Sequence, residues 1–276
     1  MCRPRDTSWT FRDLEQAARD LFEKRILGDA GSAALLEEFS PGYEISYLVL
    51  TNGTDYAPLV LAQDHKRLLD HDEGPNTGGM GVVGPIEIDS ALREQINREV
   101  VERSVQHLQK RGFLFRGVLF IGLMITKDGP SVLEYNTRFG DPETQVILPL
   151  LDGDWGHVFS ELAEGRLTEL KWKPLAAACV VLAAEGYPDE PIKGAALTLP
   201  GEASASRYLL HAGTARSKTG HRSGDWVTNG GRVLNAVGIA ANIREAVDSA
   251  YEIAREVKSD SLVMRTDIGR RQFESP

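Results

Sequence analysis

In the stretch LEYNTRFGDPETQ, residues 133–145, the side chains of Glu134, Asn136, Arg138, Asp141 and Glu143 crowd onto what begins as a strand. Residues two apart on a strand share a face, so Glu134 and Asn136 project together while Leu133 and Tyr135 face the other way. A carboxylate and an amide oxygen side by side suit a hard cation such as Mg²⁺, which takes oxygen ligands and shares them with substrate phosphates and water. The same two residues would also serve as a solvated strand end, because Glu-x-Asn is a short pattern. Arg138 carries a fork able to grip a phosphate or carboxylate through two parallel hydrogen bonds, or to pair with Asp141 or Glu143.

A second cluster, Asp64, His65, Lys66 and Arg67, stands beside a segment, residues 63–85, with five glycines and two prolines. Glycines let backbone N–H groups approach an anion and nearby cations neutralise it, so phosphate binding and a solvated glycine loop both fit. It is not a P-loop, because no glycine-rich stretch in it runs into Gly-Lys-Ser/Thr. In a third cluster, EEFSPGYE, Glu37 and Glu38 close an apolar run and Glu44 follows a Pro-Gly connector. These carboxylates could line a cleft or simply sit on a link between strands. His107, His157 and His211 lack ligand-spaced partners and are assigned no chemistry.

The elements that must position these groups follow from periodicity. Phe11, Leu14, Ala17, Ala18, Leu21 and Phe22 predict a helix after Thr10 as N-cap, interrupted by GDAG at 28–31. AALLEEF, YEISYLVL and YAPLVLA read as strands, and 63–85 as a long ordered loop. From Asp89, the positions Leu92, Ile96, Val100, Val101, Val105 and Leu108 predict a helix ending near Gly112. GVLFIGLMIT and SVLEY then form strands about the turn Lys127-Asp128-Gly129-Pro130. A second unit is expected from about Trp172, with strands in AAACVVLAA, YLLHAGTA and GGRVLNAVGIA and a polar turn-rich span at 216–225. A last helix carries Asn242 and Glu245 as a capping box would place them.

With 276 residues, 42% of them hydrophobic, the chain can bury a sizeable core and is expected to form two domains. A net charge of −9 argues against broad binding to a nucleic-acid backbone, so any phosphate must be held locally. Cys2 and Cys179 are too far apart in sequence to suggest a disulfide framework or a zinc site. No apolar run reaches the roughly 18–20 residues of a membrane span, and MCRPRDTSWTF lacks a secretory signal's apolar stretch. A cytoplasmic location is expected.

Taken in order, LLEEFSPGYEIS, AQDHKRLLDHDEGPNTGGMG, GVLFIGLMITKDG and VLEYNTRFGDPETQVILPLL resemble the glycinamide ribonucleotide synthetase family of the ATP-grasp superfamily. The resemblance continues through HAGT, VTNGGRVL and RTDIG, from about residue 10 to 271. It implies a mixed α/β (α+β) fold, a partial ATP-grasp fold followed by a small C-terminal α/β domain. Residues 1–36 would be a remnant of the lid subdomain, 37–171 the central subdomain and 172–276 the C-terminal domain. The implied reaction is ligation of glycine to 5-phosphoribosylamine through glycyl phosphate, giving glycinamide ribonucleotide, ADP and phosphate in purine biosynthesis. By resemblance, Glu37, Glu38, Phe39 and Ser40 form the hinge that meets adenine, largely through backbone groups, and Glu44 takes the ribose hydroxyls. Arg67 and Asn76 match positions that contact ATP, and Glu134 and Asn136 match the Mg²⁺ or Mn²⁺ ligands. Arg138 and Asp141 would orient the phosphates, glycine or phosphoribosylamine.

The chain departs from the family pattern at Gly42-Tyr43-Glu44, where Gly-Glu-Glu is common, and at Asn136-Thr137-Arg138, where Asn-Cys-Arg is common. Set against that pattern, the sequence is expected to lack the family's N-terminal Rossmann-like domain and the Lys- and Gly-rich lid segment. The resemblance therefore implies weakened turnover by this chain alone, or a missing part supplied by another chain. A noncatalytic nucleotide- and metal-binding module is the alternative. A different ATP-grasp carboxylate–amine ligase fits less well, because the DHKR to PNTGGMG combination points to this family.

Overall fold

The computed structural model describes residues 11–201, 203–217 and 225–273. Thr10, Cys2 and most of the expected turn-rich span 216–225 lie outside the described residues. The chain divides into two compact units, residues 1–41 and 42–276.

The first unit holds α1 (Phe11–Phe22) and a 3₁₀ turn at Gly28–Gly31. Its apolar positions recur at helical spacing as expected, yet no residue of α1 is buried. Arg19 donates to Glu15 one turn earlier at 2.9 Å. The strand expected over AALLEEF does not form: residues 33–41 have no regular structure, and Leu35 and Leu36 are 82% and 76% exposed. A strand needs a paired neighbour for its backbone groups, and no described strand pairs with this segment.

The second unit begins with β1 (Tyr43–Thr51) and β2 (Tyr56–Pro58). The segment expected as a loop contains β3 (Gln63–Asp64), β4 (Arg67–Leu69), β5 (Glu73–Asn76) and β6 (Gly81–Gly84). Strands of two to four residues are too short to show a period-2 pattern, which is why the sequence conceals them. Next come α2 (Ser90–Ile96), a π segment at Asn97–Val101 and α3 (Glu102–Lys110), with Asp89 accepting from the Ala91 N–H as N-cap. β7 (Gly117–Thr126), β8 (Gly129–Asn136), α4 (Thr144–Ile147) and α5 (Trp155–Ala163) follow.

The remaining elements are β9 (Ala176–Ala184), β10 (Ala196–Leu197), β11 (Arg207–His211), β12 (Thr214–Arg216), β13 (Trp226–Thr228), β14 (Arg232–Ala240), α6 (Ile243–Glu256) and β15 (Leu262–Val263). Asn242 caps α6 by accepting from the Glu245 N–H at 3.0 Å.

Two antiparallel sheets organise this unit. One has the order β2-β1-β7-β8, and the other runs β11-β14-β9-β6-β3 with β15 also on β9. Strands from both sides of Trp172 therefore share one sheet: Val82 of β6 is registered with Cys179 of β9. All nine residues of β9 are buried, because α6 packs through Ala246, Ala250 and Ala254 in the cluster on one side and Val146 and Leu150 pack on the other.

The odd-numbered residues of β1 and β7, including Ile45, Tyr47, Ile121 and Leu123, share a core with Ile96, Val100 and Val101 of the helical segment. Tyr47 completes this face by donating to Asn97 at 2.7 Å. The even-numbered face is apolar at the end of Leu48, Leu50 and Phe120. Its other end carries Glu44, Ser46 and Glu134, with Asn136 opposite Phe120 at the boundary.

Candidate functional site

The site is built on the even face of the β1-β7-β8 sheet. Registers pair Glu44 with Met124, Ser46 with Gly122, Gly122 with Glu134 and Phe120 with Asn136. Residues directly opposite in an antiparallel pair share a face, so Glu44, Ser46, Glu134 and Asn136 occur together. Glu44 and Glu134 stand on strands separated only by β7, roughly 10 Å at ordinary strand spacing. Gly122 lies between them, and a Cβ there would come within 3.1 Å of Glu134 Cγ. The missing side chain leaves room for the carboxylate.

Glu134 and Asn136 are brought together as their spacing requires: Asn136 Nδ2 donates to Glu134 Oε1 at 3.1 Å. That contact turns the amide nitrogen toward the carboxylate and leaves Asn136 Oδ1 and Glu134 Oε2 as hard oxygen donors on one face. Tyr135 faces the other side, where its hydroxyl meets Ser104 of α3 at 2.7 Å. Leu133 does not occupy a simple alternating position, because the ladder slips between Gly122 and Leu123 and leaves it in a bulge. Among the described residues no group of three or more His, Cys, Asp or Glu side chains could hold a metal. A Glu-Asn pair therefore fits a divalent ion whose remaining ligands are phosphate and water oxygens.

After β8 the chain turns back over this face. Gly140 packs so closely on the Glu143 carboxylate and the Phe120 ring that a side chain at 140 would collide with both. Glu143 is 1% exposed and accepts from the Ser46 hydroxyl at 2.7 Å. Lys66 reaches the same carboxylate at 3.8 Å, lies 2.6 Å from Asp64 Oδ2 and sits 6.0 Å above the Phe120 ring.

Burial, opposed by Lys66 and supported by Glu143, pushes the Asp64 carboxyl up to about 7. Burial alone would lower the pKa of Lys66, but Asp64, Glu143 and Glu44 reverse that and hold it as an ammonium. Lys66 is thus a fixed cation held between Asp64 and Glu143, over the Phe120 ring.

The other residues of the DHKR run go elsewhere. His65 is buried, with Nδ1 against the Gly81 carbonyl at 3.1 Å and Nε2 accepting from the Gly269 N–H at 3.1 Å. Its ring is neutral, its pKa lowered to about 4 by burial and by Arg265. Arg67 pairs across the β4-β5 ladder with Asn76 and donates to the Gly74 carbonyl at 2.6 Å. Arg138 is exposed, donates to the Phe139 carbonyl at 2.8 Å, and forms no ion pair with Asp141 or Glu143 among the described residues. Asp141 accepts from Gln145 at 2.9 Å and pairs with Arg232 at 3.1 Å. Glu37, Glu38, Phe39 and Ser40 belong to the first unit, where Phe39 is half exposed.

Sequence reasoning missed Ser46 and Arg232, whose partners lie far along the chain, and Arg265, which joins a neighbour in sequence to a distant one. Arg265 is 2% exposed; it forks onto Asp267 at 2.7 and 2.9 Å, meets Asp72 at 2.9 Å and donates to the Arg67 carbonyl at 3.2 Å. RTDIG was the available signal for it, since an arginine two residues before an aspartate can form this local fork. Beside it a hollow of about 220 Å³ is lined partly by His71, Arg270 and Arg271.

Comparison with known families matches residues 10–144 to the ATP-grasp (A) domain of phosphoribosylglycinamide synthetase and residues 177–271 to its C domain. The chain belongs to the phosphoribosylglycinamide synthetase family. A phosphoribosylamine–glycine ligase of Halalkalibacterium halodurans is 41% identical over 257 residues, covering 92% of this chain and 59% of that protein. The crystal structure of the phosphoribosylamine–glycine ligase of Thermotoga maritima superposes with a TM-score of 0.80 at 37% identity, over 92% of this chain and 64% of that one. A biotin carboxylase domain from Hydrogenobacter thermophilus shares the fold alone, at 14% identity, with a TM-score of 0.62 over 92% of this chain and 54% of that one. This synthetase-family chain spans about three-fifths of the length of the bacterial relatives it matches. Its fold is mixed α/β, with the ATP-grasp and C-domain parts both present. Among the described residues no helix is long and apolar enough to cross a membrane.

Proposed function

We propose that the chain carries the nucleotide- and metal-holding part of a phosphoribosylamine–glycine ligase and acts in the cytoplasm. The observation that carries this reading is the Glu134–Asn136 pair, set on one sheet face with Glu44 and with Ser46, which donates to the Glu143 carboxylate that Lys66 also reaches. Relatives about 40% identical bear the ligase name, and the Hydrogenobacter carboxylase domain forms a complex with magnesium ADP.

In this reading Glu44 takes the ribose hydroxyls, and the backbone of Glu37, Glu38, Phe39 and Ser40 meets adenine. Arg67 and Asn76 contact ATP from the β4-β5 ladder. Glu134 and Asn136 hold Mg²⁺ or Mn²⁺, which when bound supplies positive charge to the phosphate oxygens. Arg138 and Asp141 orient the reacting groups, with Arg138 well suited to a phosphate or the glycine carboxylate. A glycine carboxylate oxygen bonds to the γ-phosphorus as the bond to ADP breaks. The amine of 5-phosphoribosylamine then attacks the acyl carbon and expels phosphate. Lys66, held as an ammonium by the acidic groups around it, is the cation that would offset negative charge on this side of the sheet.

The test is ADP release by the purified chain with Mg-ATP, glycine and 5-phosphoribosylamine, omitting each in turn. Mg-nucleotide binding with at most slow release, dependent on all three and on the divalent ion, is expected; release indifferent to glycine, or binding of no nucleotide at all, would overturn the reading.

A further inference from the structure

Arg232 opens β14, and its side chain lies between two loops remote from it in sequence. Nη1 donates to the Gly78 carbonyl at 2.8 Å and to the Asp141 carbonyl at 2.6 Å, and Nη2 reaches Asp141 Oδ2 at 3.1 Å. The side chain is only 21% exposed. A Cβ on Gly78 would stand 3.0 Å from the guanidinium carbon, so this close approach depends on glycine.

The neighbouring contacts place the two loops against each other. A Cβ on Gly79 would lie 2.6 Å from Pro142 Cδ and 2.7 Å from Asp64 Oδ1, and Gly79 also has φ +112°. Tyr187 adds a second hold on the glycine loop, its hydroxyl accepting from the Gly78 N–H at 2.9 Å. Gln145 fixes the other oxygen of the Asp141 carboxylate at 2.9 Å. A planar fork can serve both carbonyls and the carboxylate together, whereas a lysine ammonium on its flexible stem cannot keep that geometry.

We propose that Arg232 is a positioning residue that locks the loop after Asn76 to the Gly140–Pro142 turn, so that the two act as one rigid piece. The loop continues directly from Asn76 and the turn carries Asp141 just after Arg138, so the lock sets the register between the ATP-contacting and substrate-orienting sides of the site. Small misplacements of reacting groups cost large factors in rate, and that is the lever Arg232 holds. The catalytic consequence rests on the proposed ligase reading; the lock itself does not.

Hydrogen–deuterium exchange on the whole chain, comparing the parent with Arg232→Lys and Arg232→Met, tests it. Amides of residues 77–80 and 144–147 are expected to exchange at least about tenfold faster in both variants, in step, while β1 and β7 keep their rates. Acceleration in one loop only or in neither overturns the lock, as does acceleration spread through β1 and β7, which would mark a general loss of stability. In turnover assays Arg232→Lys is expected to lower kcat by about 100-fold with the KM for ATP within about threefold. A raised KM with kcat unchanged overturns the positioning role. A parent chain that neither turns over nor binds Mg-nucleotide would count against the ligase reading, and exchange would still decide the lock.

Discussion

The Ser46 hydroxyl donates to the Glu143 carboxylate at 2.7 Å, tying β1 to the turn after β8 across 97 positions of sequence. Because Glu143 is 1% exposed, this hydroxyl and the Lys66 ammonium stand where water would otherwise meet its carboxylate. Ser46→Ala removes the nearer donor and should cost about 1–3 kcal/mol, the usual penalty for a buried polar group left short of a partner. A urea titration checks it. An unchanged midpoint would mean that Lys66 alone satisfies the carboxylate.

Glu134→Gln should remove most of the divalent-dependent part of nucleotide affinity with little effect on folding, because the Glu134 side chain is exposed. Titration with ATP in the presence of Mg²⁺ and of a chelator separates the two contributions. Equal Mg²⁺ dependence in parent and variant would remove Glu134 from the metal site.

Gly122→Val should have the same ligand phenotype from the neighbouring strand. Its branched side chain would begin 3.1 Å from Glu134 Cγ and so push the carboxylate off the shared face. A loss of Mg²⁺-dependent nucleotide binding of at least about tenfold is expected, with melting shifted by only a few degrees. Retained binding would show that Glu134 need not occupy the position it has here.

Two buried groups should oppose each other in acid. His65 titrates near 4 in the fold and near 6.5 unfolded, so only the unfolded chain takes up its proton between those values. Its contribution is fully present above about pH 6.5 and is lost as pH falls toward 4, to the extent of about 3 kcal/mol. Asp64, raised to about 7, has the reverse sign: the fold keeps a proton that the unfolded chain has released, and stability declines as pH rises from about 4 to 7. Asp64→Asn should therefore lose melting temperature more steeply than the parent from pH 7 to 4.5. Parallel curves would contradict the opposition.

The parts of this fold legible in sequence were those with a long local period. β7 coincides with GVLFIGLMIT, the helical segment begins after Asp89, and Asn242 caps α6. The pairing of Glu134 with Asn136 was equally legible, since it needs only the two-residue repeat of a strand. Lys66 was only partly so: the sequence places it in one cluster with Asp64 and Arg67, but its approach to Glu143 is made by the fold. Arg232 was hidden for the same reason: its partner Gly78 is 154 residues away. AALLEEF shows the converse limit, strand-like in composition but without a partner strand among the described residues.

The order β11-β14-β9-β6-β3 also sets a timetable for synthesis. Val82 and Val83 emerge from the ribosome long before Cys179 and Ala178, the residues they pair with, and β14 comes later still. Until β9 arrives, β6 has only the two-residue β3 beside it and offers an open edge to any other nascent chain. Such distant pairing slows folding and prolongs exposure to aggregation, so yield in the cell should depend on chaperone capacity while the stretch from β6 to β14 is translated.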